Sequence, residues 1–386
     1  MGEFDLIEKF FKHKSTSAQA EQGLSATDSQ ANRVRLGIGD DCALLAPAPG
    51  MELAVSSDML VEGRHFFAGV DPAALGHKAL AVNLSDLAAM GAAPLAFTLA
   101  LALPHERAGD APWLAAFASG LHALADAHGC PLVGGDTTAG PLNICITVLG
   151  EVPAGQALRR DGAQAGDDIW ASGTLGEARL ALEALRGQLA LPPGALAAAR
   201  QRLERPTPRL ALGRALRGIA TSCIDVSDGL AGDLGHVLQA SRVGATLEAG
   251  AASGLMTARF PASKPRRRSR EGRNPDSVGF EATPLDCHLR GNDEGGNPRS
   301  CAHDSLQAAE AVMQERLRYV LHGGDDYELA FTAPSAQRAA VLRAAQAAAT
   351  PVTRLGRIDA QPGLRLAWPS GANTPIAARG FDHFAC

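Results

Sequence analysis

The chain has 386 residues, of which 46% are hydrophobic, 4% aromatic and 20% charged, with a formal net charge of -5. That length accommodates two ordinary cores. The acidic balance excludes a general nucleic-acid binder and gives no long-range attraction for a phosphorylated ligand, so metal ions and local arginines must meet any phosphate ester.

Seven cysteines, at 42, 130, 145, 223, 287, 301 and 386, are scattered and form no C-x-x-C pair. This pattern favours reduced thiols over a disulfide framework. Cys287, His288, Cys301 and His303 fit no standard zinc spacing. The opening Met1-Gly2-Glu3-Phe4-Asp5-Leu6 is acidic at once and shows no apolar leader. The apolar run over 92–103 contains a proline and is too short to span a bilayer. A cytoplasmic protein with no membrane partner is expected.

In chain order, residues 4–12 predict a short amphipathic helix with Leu6, Ile7, Phe10 and Phe11 on one side. After a polar loop comes Leu36-Gly37-Ile38-Gly39-Asp40-Asp41, whose glycines let a tight turn present two carboxylates. A short apolar run, then a turn ending in aspartate, recurs at Leu53-Ala54-Val55-Ser56-Ser57-Asp58 and Pro131-Leu132-Val133-Gly134-Gly135-Asp136. It returns at Cys223-Ile224-Asp225-Val226-Ser227-Asp228-Gly229 and, behind a predicted helix, at His322-Gly323-Gly324-Asp325-Asp326-Tyr327.

Asp71-Pro72 supplies an N-cap and a first-turn proline for a helix that runs to about Met90 and stops at Gly91. Asn83 and Asp86 share one of its faces, while Leu80, Leu84, Leu87 and Ala88 face the core. Asp86 therefore reads either as a solvated helix edge or as a metal ligand reaching over the other acidic loops. A strand over 95–103, a helix over 113–128 and strands over 131–133 and 142–148 complete a mixed α/β first unit, 1–153. The second unit, 154–386, predicts a strand over 167–172, a helix over 177–186, and two helices punctuated by Pro192-Pro193 and Arg205-Pro206-Thr207-Pro208. A strand over 219–224, a helix over 230–240 and a strand over 245–248 follow, then helix, acidic turn, strand and helix over 306–348. Residues 253–303 are rich in Pro, Gly, Arg, Ser and Asn without a hydrophobic period, and read as a disordered insertion rather than an RNA- or membrane-binding patch.

Carboxylates held within about 4 Å at an effective dielectric near 20 repel by about 4 kcal/mol per pair. Ordinary stability cannot carry several such pairs, so these groups lie apart, hold protons, or are bridged by divalent cations. Oxygen ligands without paired His or Cys favour magnesium, which completes its shell with water and phosphate oxygens. Ser56, Ser57 and Ser227 suit neutral oxygen ligands or phosphate donors. The G-x-x-x-x-G-K-S/T loop and the H-R-D and D-F-G motifs are absent. The residues point to phosphoryl transfer held mainly by metals.

With these residues assembled, the chain resembles the thiamine-monophosphate kinases, within the ATP-binding aminoimidazole ribonucleotide synthetase-like superfamily. The resemblance is carried by Gly37-Ile38-Gly39-Asp40-Asp41, by 57–66, by the helix segment 79–92, by Gly134-Gly135-Asp136-Thr137-Thr138, by 225–230, by 323–329 and by Gly380-Phe381-Asp382-His383-Phe384. Only the insertion falls outside it. It implies a two-domain fold with a joint dimer barrel, and transfer of the ATP γ-phosphoryl onto thiamine monophosphate. It further implies a magnesium set of Asp41, Ser56, Ser57, Asp58, Asp86, Asp136, Asp225 and Asp228. Implied ATP contacts are Gly135, Asp136, Arg160 and Ser227; His65, Asp325 and Phe381 fall on the thiamine-phosphate side. His65 could instead pack beside Phe66 and Phe67, Arg160 pair with Asp161, and Phe381 serve as core. Asp325 stands where the family usually has Glu, and Ser57 replaces a common Thr. A related synthetase of the superfamily and a non-catalytic nucleotide-binding module are the alternatives; a selenophosphate-type synthetase would want a reactive Cys in a glycine-rich N-terminal loop, and none is seen.

Overall fold

The computed structural model describes residues 3–12, 33–257 and 298–380. Phe381 and residues 258–297 lie outside the described residues. β1 (Val34–Leu36) and β2 (Leu44–Leu45) pair antiparallel on either side of the first acidic turn. β3 (Met51–Val61), β4 (Ala93–Leu103), β5 (Leu132–Ala139) and β6 (Asn143–Pro153) form a sheet in the order β3-β6-β4-β5. β3 and β6 run antiparallel from Met51 opposite Pro153 to Val61 opposite Asn143. β4 and β5 are parallel, which requires a crossover, and the helix Ala111–Ala127 supplies it.

The second sheet contains β7 (Asp168–Ser172), β8 (Ser222–Val226), β9 (Gly244–Glu248), β10 (Glu328–Ala333), β11 (Val352–Asp359), β12 (Gly363–Ala367) and β13 (Asn373–Ile376). Its order is β13-β12-β9-β11-β7-β10-β8, antiparallel except for the β12–β9 pair. This is the mixed α/β architecture expected from the sequence. No described helix is long and apolar enough to cross a membrane.

The helix Pro72–Ala89 joins the two sheets. Asp71 caps it by accepting from the Ala73 amide at 3.2 Å, Pro72 needs no donor there, and Gly91 ends it at φ 66°. The apolar stripe expected of a surface helix is replaced by burial all round: 14 of its 18 residues are buried. Two glycines permit the crossing with Ala111–Ala127. A Cβ on Gly76 would stand 2.1 Å from the Phe117 carbonyl oxygen, and one on Gly120 would stand 1.9 Å from that of Ala73. Toward the second sheet, a Cβ on Gly213 would lie 2.0 Å from the Ala88 oxygen. Further ties run from His77 Nε2 to the Pro206 oxygen at 2.9 Å, from Ser85 to Asp225 at 2.9 Å, from Lys78 to Asp325 at 2.7 Å, and from Arg205 to Asp71 at 3.1 Å.

Three aspartates expected in turns belong instead to strands: Asp58 to β3, Asp136 to β5 and Asp225 to β8. In β3, strand alternation turns Ser56, Asp58 and buried Leu60 toward the helix-covered face. Leu53, Val55 and Met59 turn to the other face, where they are 52, 62 and 53% exposed. Most of the expected insertion, 258–297, lies outside the described residues, and its edges belong to ordered elements. Leu255 and Met256 are buried in the second core, and the helix Pro298–His322 begins before residue 303.

Gly120→Ala is expected to lower stability by about 1–3 kcal/mol, because a methyl group there must push two helices apart. Gly250→Ala, where a Cβ meets nothing within 4 Å, is expected to be close to neutral. Urea unfolding of the two variants checks this, and equal midpoints would contradict the close-packed crossing.

Candidate active site

A cavity of about 290 Å³ opens where helix Pro72–Ala89 faces both sheets. Asp58, Asp86, Asp225, Ser227, Asp228, His65 and Asp325 line it. Ser56 Oγ donates to Asp86 Oδ2 at 2.5 Å, and Ser85 Oγ to Asp225 Oδ2 at 2.9 Å. Thus two consecutive helix residues, Ser85 and Asp86, reach different sheets. The Asp58 amide on the edge of β3 donates to Asn83 Oδ1 at 3.0 Å, and Asn83 Nδ2 donates back to the Ala79 oxygen at 3.0 Å. One helix therefore fixes an acid of its own and one from each sheet.

The turn after β8 is held from below. Asp233, in the first turn of the helix Leu230–Ser241, accepts from the amides of Ser227 and Asp228 at 3.1 and 3.0 Å. The described chain ends against this turn: a Cβ on Gly232 would fall 2.4 Å from Gly380 Cα, and one on Gly380 would fall 2.9 Å from Asp228 Cβ. Across the cavity, Asp325 and Tyr327 adopt φ of 67° and 52°, a region that side chains avoid. Hydrogen bonds from their amides to the oxygens of Ser227 and Val226, at 2.8 and 2.9 Å, hold them there. His65 Nδ1 accepts from the Val61 amide at 2.9 Å, which places the proton of the neutral ring on Nε2.

Burial and mutual repulsion dominate the electrostatics. Burial, then Asp86 and Asp228, push the Asp58 carboxyl up to about 6. Burial, then Asp86, Asp233 and Asp58, push Asp225 up to about 8 against the Ser85 hydrogen bond. Burial raises Asp86 while the Ser56 hydroxyl and the Arg160 guanidinium pull the other way. Burial brings Asp233 up to about 7 despite its two amide donors. Groups that hold protons this tightly are short of positive charge.

The expected cation set is divided. Asp41, Gly135 and Asp136 line a second recess of about 750 Å³, beside Asp40, Cys42 and the N-terminal helical turns. In the sheet register, Asp58 stands in one row with Ile146, Leu99 and Gly135. Three strand spacings put Gly135 about 14 Å from Asp58 within the chain. Asp136, one residue on, shares the row of Ala100, Cys145 and Met59, which faces the open side. Ser57 also turns away from Asp58, bonding Thr147 Oγ1 at 3.0 Å and the Ile146 oxygen at 3.2 Å. Gly135 has a backbone reason to be glycine: its φ is 148°, and a Cβ would meet the Leu99 oxygen at 1.9 Å. Among the described residues, no three His, Cys, Asp or Glu side chains form a ready-made metal cluster.

Arg160 does not pair with Asp161. Arg159 does, through Nε and Nη2 at 2.9 and 2.7 Å, and Arg160 acts on Asp86. Phe381 lies outside the described residues. Sequence reasoning missed the basic edge of the cavity, Arg64, Arg179 and Arg186. Arg179 and Arg186 are seven apart, two turns along one helical face, which is a readable signal. Asp233 was also missed; an aspartate in the first turn of a helix behind a D-x-x-D-G turn is the pattern that locates it.

Raised carboxyls make the native chain bind protons that the unfolded chain has released, so stability falls as pH rises through their folded values. His77 and His128 are lowered by burial and act below about pH 6.5, with the opposite slope. Between pH 6.5 and pH 8.5, urea midpoints in the presence of a chelator should therefore fall, with Asp225 at about 8, Asp233 at about 7 and Asp326, raised by burial, all contributing. Asp225→Asn should flatten the slope; a wild-type midpoint that rises over this interval contradicts the charge arrangement.

Residues 39–152 match the family model for the N-terminal domain of AIR synthase related proteins. The thiamine-monophosphate kinase of Salmonella typhimurium (strain LT2) is 39% identical over 386 residues, covering 100% of this chain and 98% of that protein. That of Escherichia coli (strain K12) is 37% identical over 385 residues, with coverage of 100% and 98%. A crystal structure of the thiamine-monophosphate kinase from Stenotrophomonas maltophilia K279a superposes with a TM-score of 0.67 at 41% identity, covering 87% of this chain and 91% of that one. A structure of AaThiL complexed with AMPPCP and TMP, 24% identical with a TM-score of 0.62 over 88% and 89% of the two chains, shares the fold. With full-length relatives at this identity, the chain belongs to the thiamine-monophosphate kinase family.

Proposed function

We propose that this chain phosphorylates thiamine monophosphate with ATP, giving thiamine diphosphate and ADP, as a cytoplasmic homodimer that uses magnesium. The observation that supports it most is the gathering of Asp58, Asp86 and Asp225 over one helix, with raised proton affinities and arginines lining the same cavity. The named activity of full-length relatives and the ligands of the fold neighbour agree with it.

In this reading an oxygen of the thiamine monophosphate phosphate bonds to the γ-phosphorus of ATP as the bond to the β–γ bridging oxygen breaks. The acceptor phosphate is ionised near pH 7, so no residue need act as general base. Asp58, Asp86, Asp225 and Asp228, with the Ser56 hydroxyl, are the oxygen donors for cations. Magnesium, when bound, would neutralise charge on the two phosphate chains. Arg160 and Ser227 serve ATP, while His65, Asp325 and Phe381 serve the acceptor. Arg64, Arg179 and Arg186 add positive charge along the same wall.

Asp41, Ser57, Gly135 and Asp136 join this site through the homodimer. β3 and β5 are the two edges of the first sheet, and the face between them exposes Leu53, Val55 and Met59. Closing two such sheets into a barrel about a two-fold along its axis lays each β3 against the partner's β5. The partner's β5, with Gly135 and Asp136, then lies beside the strand of Asp58, where within one chain Gly135 stands about 14 Å away.

Incubation with ATP and thiamine monophosphate, followed by chromatography, should yield thiamine diphosphate; tight ATP binding without that product overturns the kinase reading. Asp86→Asn should lower turnover at least about 100-fold with unaltered circular dichroism. Asp86→Asn and Asp136→Asn subunits, each inactive alone, should regain about one quarter of wild-type activity when dimers are reassorted, since half the dimers are mixed and each holds one intact site. No recovery would assign both acids to sites within single chains.

A further inference from the structure

The cavity with the acids adjoins a smaller one, of about 50 Å³, with Phe66, Phe67, Val70 and Leu75 along part of its wall and Arg64, Arg186 and Glu204 along the rest. Asp325 lies on the boundary and lines both. That boundary suits a ligand charged at one end and aromatic at the other. Also lining the smaller cavity is Lys78, a cationic side chain only 4% exposed, from the middle of helix Pro72–Ala89. Its ammonium stands 2.7 Å from Asp325 Oδ1, while the Asp325 side chain keeps 34% of its surface.

A buried ammonium needs a partner, and this one finds it across the gap between the two sheets. Asp325 is also the residue whose backbone is forced to φ 67°. Such conformations persist where the surroundings hold them. Here the Ser227 oxygen grips the amide at one end and Lys78 grips the carboxylate at the other. An aspartate is one methylene shorter than glutamate, so its oxygens depend more on where the backbone and a neighbour put them.

The geometry points to Lys78 as a positioning residue for the acceptor substrate: its ammonium takes Asp325 Oδ1 and leaves Oδ2 as a fixed acceptor for the exocyclic amine of an aminopyrimidine seated against Phe66 and Phe67. This rests on the kinase reading above and adds a residue to it. Lys78 touches neither phosphate chain in this scheme; its effect passes through Asp325.

The test is steady-state kinetics of the full-length enzyme, with thiamine monophosphate and with its analogue whose exocyclic amine is replaced by an oxo group. Wild type should favour the amino substrate. Lys78→Met should raise KM for thiamine monophosphate about tenfold, the scale of one charge-assisted hydrogen bond, while kcat and the KM for ATP change less than about twofold. It should also shrink the preference over the oxo analogue. In an Asp325→Asn background the same substitution should add little, as expected of two groups acting through one contact. An additive double mutant, or an unchanged amino-to-oxo preference in a folded Lys78→Met enzyme, overturns the positioning role. If Lys78→Met does not fold, Asp325→Asn alone decides: retained preference for the amine overturns the proposal. Wild-type protein that makes no thiamine diphosphate overturns instead the kinase reading beneath it.

Discussion

The structure depends on a helix that has no side facing water. Pro72–Ala89 is enclosed by the first sheet, by the helix Ala111–Ala127 and by elements of the second sheet, so every polar group it carries must find a partner inside the protein. Most of its length is Ala, Leu and Val, which burial rewards. His77, Lys78, Asn83, Ser85 and Asp86 are the polar exceptions, and each is bonded to another part of the chain. The site is what these exceptions look like from outside: the helix draws one acid from β3 and one from β8 to stand beside its own.

Bringing those acids together carries an energetic cost that the bare chain meets by holding protons. Hydroxyl donors from Ser56 and Ser85 and the guanidinium of Arg160 offset part of it. Asp233 shows the same tension away from the cavity, since its carboxylate anchors two amides while burial opposes its charge. Elsewhere the protein solves buried charge differently. Glu328, at 1% exposure, is matched by Arg202 and by both arms of Arg209, and Asp168 by Arg338 and Arg354. Those carboxylates are neutralised by the chain itself. Asp58 and Asp225 instead keep raised proton affinities, and this contrast separates a site from a scaffold.

Local signals made much of this legible. The Asp71-Pro72 start and Gly91 stop of the central helix, the glycine ending the helix before β5 and the alternation in β6 act within a few residues, and each appears in the structure near its expected place. The acidic motifs were legible as a set but not as geometry. Asp58 and Asp136 follow apolar runs that look alike, yet sheet order places them on opposite edges, and order is set by long-range pairing that no local window contains. Ser56 and Ser57 are neighbours in sequence but point to opposite faces, because they lie in a strand that runs on past Asp58, where a turn was expected. The partner of Lys78 lies 247 residues away in the chain, beyond any spacing rule.

The close approach of Gly213 to Ala88, together with the His77, Lys78, Ser85 and Asp71 ties, has a mechanical consequence. These fasteners are spread along most of one helix, so any shift of the described cavity walls against each other must undo several of them together.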